Sequence, residues 1–125
     1  MACTTLGWAY LYYTQDFERA ELHLKMAVKF NEEYAAPYLH MGTLLIRRCK
    51  YAEAIVYLEK GLQKPNANRL AFLESIAQAY ELQREYKKAI KTYKAALAAS
   101  IGHESNTLME SINRCRKKRV TLFFS

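Results

Sequence analysis

A chain of 125 residues is long enough for one domain of ordinary size with a core that needs no staples. Hydrophobic residues make up 51% and charged residues 25%, which excludes a disordered or collagen-like chain, and four Gly and two Pro are too few for the frequent turns of an all-β fold. The net charge of +7 is uneven, at −2 over residues 1–34, +4 over 35–69, +2 over 70–102 and +3 over 103–125, an asymmetry that steers a partner without naming one.

The opening stretch MACTTLGWAYLYYTQD has no Lys or Arg ahead of its apolar part and no small-residue cleavage site, so no signal peptide is expected. No apolar run approaches the roughly 20 residues that span a bilayer. Cys3, Cys49 and Cys115 form no CxxC pair, which argues against a zinc or redox motif. The expectation is a cytoplasmic protein with free, partly buried thiols.

In chain order, the periodicity predicts helices near 3–14, 17–30, 35–48, 51–64, 69–83 and 86–100, with a seventh near 104–119. Pro37 falls in the first turn of the third helix, where its missing N–H does no harm. Pro65-Asn66 ends the fourth helix and Ile101-Gly102 the sixth. The seventh has an apolar face of Leu108, Ile112 and Cys115 and a cap at Ser105 or Asn106. The remaining stretch, VTLFFS over 120–125, is an apolar tail whose Phe123 and Phe124 would be exposed unless they fold back or meet a partner.

Three stretches repeat. Leu6-Gly7, Met41-Gly42 and Ile76-Ala77 correspond, followed by Tyr10, Leu45 and Tyr80, at steps of 35. Phe17, Tyr51 and Tyr86 correspond, then Ala20, Ala54 and Ala89, at steps of 34 and 35. Beyond them Leu24, Leu58 and Tyr93 match, as do Ala27, Gly61 and Ala96. The first copy therefore holds one extra residue within Leu11–Asp16. Residues three and four apart share a helix face, so each copy offers two facing stripes in which small residues admit close approach and large ones fill the remaining space. The pattern resembles the tetratricopeptide repeat, a helix–turn–helix unit of about 34 residues. Cys49 and Arg84 stand where that family usually has glycine at the inner turn. The resemblance implies an all-α solenoid of three repeats, about 1–34, 35–69 and 70–102. A capping helix follows at about 103–119, making a single domain over 1–119.

The resemblance also implies a concave groove, lined by the first helix of each pair, that binds a peptide or partner helix. Carried onto this sequence, the groove positions are Thr4, Thr5, Trp8, Leu11 and Tyr12, then Leu39, His40, Thr43, Ile46 and Arg47, then Glu74, Ser75, Gln78, Glu81 and Leu82. The extra residue leaves Trp8 or Tyr13 as the groove aromatic. Trp8 with Tyr12 suits an apolar side chain, or packs on the N-terminal edge. Arg47 with His40 suits a carboxylate. Glu74, Gln78 and Glu81 suit a basic segment. One subgroup of the family grips a chaperone tail with a Lys/Asn/Asn/Lys/Arg clamp. The corresponding Thr4, Trp8, His40, Ala71 and Ser75 keep none of those groups, which argues against that ligand.

The densest charge is Arg116, Lys117, Lys118 and Arg119. Without interleaved aromatics it is a weak nucleic-acid signal, and cations at a helix C-terminus also offset the dipole. His23, His40 and His103 have no metal-ligand spacing, and no phosphate-cradling or nucleophile motif is present. The reading is a non-enzymatic interaction scaffold without cofactors, binding a protein or peptide in the groove or self-associating through its N-terminal edge. The alternatives are nucleic-acid or anionic-surface binding by the basic helix, and a small secretion or assembly chaperone.

Overall fold

Every described element is an α-helix. The computed structural model describes residues 7–30, 32–100 and 105–124, and within them the side chains of 17–122. In order they are α1 (Gly7–Phe30), α2 (Ala36–Arg47), α3 (Tyr51–Leu62), α4 (Arg69–Leu82), α5 (Tyr86–Ala99) and α6 (Ser105–Phe124). Each helix packs on the next, and α2 also packs on α4, as stacked helix pairs require.

Both inner turns of the second and third copies end their first helix in the same way. Cys49 has φ 62° and Arg84 φ 66°, the left-handed conformation that glycine adopts at least cost. The Lys50 N–H reaches the Leu45 carbonyl at 2.8 Å and the Cys49 N–H reaches that of Ile46 at 3.0 Å. Thirty-five residues on, Glu85 reaches Tyr80 at 2.9 Å and Arg84 reaches Glu81 at 3.0 Å. These are paired Schellman turns, and they satisfy carbonyls that the helix end would leave bare. The loop after α3 is fixed by two asparagines. Asn66 Oδ1 accepts from the Ala35 N–H at 3.1 Å, and Asn68 Oδ1 caps α4 by accepting from the Ala71 N–H at 3.2 Å.

The core runs along the stack in three adjoining clusters. Met41, Leu45 and Ala54 form the first, with Leu24 against them. Tyr38, Leu58, Phe72 and Ile76 form the second, and Leu73, Ala77, Ala89, Ile90, Tyr93, Leu108, Ile112 and Cys115 the third. Small residues set the spacing. A Cβ at Gly42 would collide with the Leu58 side chain, and one at Gly61 with Phe72 and Tyr38. Ala54, Ala77, Ala89 and Ala96 are fully buried, but Ala20 is only half-buried.

Three expectations are corrected. The first copy has no inner turn: α1 is one helix of 24 residues. Nothing in its sequence between Trp8 and Phe30 is Gly or Pro, and Glu, Leu, Lys, Met and Ala sustain a helix across the extra residue. The last helix does not stop near 119 but continues through Val120, Thr121 and Leu122 to Phe124. Cys49 is not a free thiol but disulfide-bonded, whereas Cys115 is free and buried.

Two measurements check this account. Ala89→Leu should lower stability by roughly 1–3 kcal/mol, read as a lower urea midpoint at unchanged slope, because its seam has no room. Arg84→Gly should raise stability by about 0.5–1 kcal/mol by relieving the left-handed residue, read as a higher thermal midpoint.

Candidate partner-binding surface

On α2, His40, Thr43 and Arg47 are exposed, whereas Leu39 and Ile46 are half-buried against the second core cluster. The three exposed residues sit at intervals of three and four and share one side of the helix. Thr43 Oγ1 donates back to the Leu39 carbonyl at 2.9 Å. On the neighbouring α4, Glu74 and Ser75 are half-buried and Gln78 and Leu82 are exposed. Trp8, Leu11 and Tyr12 lie within α1, but their side chains are outside the described set, and Thr4 and Thr5 lie outside the described residues altogether.

Glu81 is not a groove carboxylate free for a ligand. It is 8% exposed and accepts four hydrogen bonds. Arg114 Nε donates to Oε2 at 2.8 Å and Arg114 Nη2 to Oε1 at 2.9 Å, a bidentate fork. Lys118 Nζ adds 2.8 Å to Oε2, and the Tyr93 hydroxyl 3.0 Å to Oε1. Burial alone would raise the Glu81 pKa, but the bonds from Arg114, Lys118 and Tyr93 outweigh it and bring the carboxyl down to about 2. Burial first, then the nearby Glu81 charge, raises the Tyr93 hydroxyl, and the same two causes push the Cys115 thiol up to about 11. Cys115 is therefore a protonated core residue at neutral pH and no nucleophile. A sequence signal existed for this cluster: Arg114 and Lys118 lie four apart at the margin of the apolar face formed by Leu108, Ile112 and Cys115.

The same cluster divides the basic run. Lys118 is committed to Glu81, and Arg116, Lys117 and Arg119 remain exposed. Lys117 and Lys118 line an open cleft of about 320 Å³ with Arg84, Tyr86, Thr121 and Leu122. At the other end of the stack Glu21 is also 8% exposed. It pairs with Arg48, and Lys50 and Lys25 stand 3.6 and 3.8 Å from its second oxygen, which accepts no hydrogen bond. This cluster ties α1 to the inner turn after α2, and nothing in the sequence pattern marks it out. Glu21 and Lys25 are an i,i+4 pair, but Arg48 and Lys50 lie 27 and 29 residues from Glu21 with no periodicity linking them to it.

A search of solved structures relates this architecture to the Arabidopsis OM64 TPR domain, with a TM-score of 0.71, 20% identity and 93% of each chain covered. The fold is that of a tetratricopeptide-repeat domain. No family model matches the sequence, and no curated protein matches it. Among the described residues no helix of this tetratricopeptide-type fold is long and apolar enough to cross a membrane. No group of three or more His, Cys, Asp or Glu among them is placed to hold a metal.

The Glu81 cluster makes a pH prediction. Its folded pKa lies below its unfolded value of about 4.5, so its contribution is complete above that value and is lost as the pH falls toward about 2. Urea titrations of Glu81→Gln should show stability lower by roughly 2–3 kcal/mol at pH 7 and a shallower fall between pH 5 and 2 than the unaltered chain.

Proposed function

We propose that this protein is a non-enzymatic scaffold that binds a partner protein, as a peptide or a helix, across the side of the stack formed by α2 and α4. The observation that carries this reading is the exposed row His40, Thr43 and Arg47 on α2, beside Gln78 on the helix packed against it. These side chains serve no core, whereas Leu39 and Ile46 beneath them hold the helix in place. Arg47 and His40 give the row donors suited to a carboxylate. Rigid helices carrying exposed polar groups keep the entropic cost of binding low. Within the basic run Lys118 is paired with Glu81, which leaves Arg116, Lys117 and Arg119 as the exposed cations of that helix.

The test is capture of partners from the native source on the immobilised chain, followed by calorimetry on the partner identified. An Arg47→Ala/Gln78→Ala variant should bind roughly 1–3 kcal/mol more weakly with its helix content retained. Affinity equal to that of the unaltered chain would count against this surface.

A further inference from the structure

The first repeat is built differently from the two that follow it. In those, the second helix turns a small–large–small seam toward the first helix of its own repeat. Ala54, Leu58, Ala89 and Ala96 are 0% exposed there, and Tyr93 is 2% exposed. The cover folds back through a turn whose left-handed residue is Cys49 or Arg84. The matching seam on α1, Ala20, Leu24 and Ala27, is only half-buried. Counted back from Phe17, which matches Tyr51, the residue at the left-handed position of the first copy is Gln15, and there the helix continues unbroken. A continuous helix of 24 residues spans roughly 36 Å and cannot double back on itself. Residues 7–14 therefore extend past the seam that the repeat pattern assigns them to cover.

We infer that a second copy of this chain closes the seam, with residues 7–14 of each α1 lying along Ala20, Leu24 and Ala27 of the other. The register decides the occupant. Within the second repeat Gly42 lies against Leu58, so closely that a Cβ would not fit. The repeat steps turn that contact into Gly7 against Leu24. Two antiparallel α1 helices meet this register twice, once on each side of a two-fold axis near Gln15 and Asp16. The pairing is self-complementary, as a two-fold interface must be, and uses contacts the chain already makes within its other repeats. Exchange of an identical element is favoured where the connecting turn is disfavoured, and Gln15 lacks the freedom of glycine at a positive φ. The exchange also carries positions 8, 11 and 12 of the groove to the other copy. That clause rests on the function proposed above, whereas the dimer does not.

Sedimentation equilibrium of the full chain with its Cys49 disulfide intact, over a wide concentration range, tests the exchange. The expected species is a dimer of the 14.5 kDa chain. Gln15→Gly supplies the residue that a left-handed turn needs, so it should shift the population to monomer at unchanged helix content. Gly7→Leu places bulk at the closest contact and should raise the dimer dissociation constant about tenfold or more. A monomer at every concentration, with the seam bare or covered by the chain's own residues, would overturn the inference. So would a dimer whose dissociation constant either substitution leaves unchanged, since it would use another surface. Failure of the groove reading would leave these masses untouched, so the two ideas fail separately.

Discussion

The structure depends on how near two helices of a pair come to each other. At Gly42 against Leu58, and at Gly61 against Phe72 and Tyr38, there is no space even for a methyl group. That closeness lets large residues from both helices reach a shared layer, which is why Leu58, Phe72 and Tyr93 are almost completely buried in a chain of only moderate size. Because each second helix also faces the next repeat, the same packing passes from one cluster to the next along the stack. The exposed row on α2 follows from it. With its large residues turned inward, the helix displays His40, Thr43 and Arg47 on the opposite side.

Close approach also demands sharp turns, and the chain makes them with residues poorly suited to the task. Cys49 and Arg84 take the left-handed conformation although both carry a side chain. The two closing hydrogen bonds and the packing on either side compensate for the strain, since each turn is held between two buried helices. Where that support is weaker the outcome reverses. At the N-terminal edge the seam residues are half-buried, and α1 continues as a helix.

This explains which features were legible in the sequence. The helices from α2 to α5 were, because each has its own small–large periodicity and identifiable ends, such as Pro37 and Pro65-Asn66. The inner turns were legible as positions, since Cys49 and Arg84 align with each other, and their conformation followed from the role. The straight run through α1 was not. Repetition implied a third turn, while local helix propensity opposed it, and the balance lies in packing energy that a sequence does not display. The role of Glu81 was hidden for a related reason. Its spacing to Glu74 and Gln78 put it on a shared helix face, and only the position of α6 decided that the face was covered there. Arg114 and Lys118 were the available clue, as cations bordering an apolar face need a counter-charge in reach.

The two ends of the stack therefore solve one problem by different means. A solenoid exposes the seam of its terminal unit, and at the C-terminal end α6 covers it with Leu108, Ile112 and Cys115. The carboxylate of Glu81 joins α4, α5 and α6 at a single point, through Arg114, Lys118 and Tyr93. A carboxylate with four donors has no lone pair left to seek water, so this end is both apolar within and electrostatically closed. At the other end Glu21 makes one strong pair with Arg48 and leaves its second oxygen without a hydrogen bond, beside a seam that is half open. Incomplete polar bonding and incomplete apolar cover thus meet at this end, and the pairing of α1 helices inferred above would close that seam.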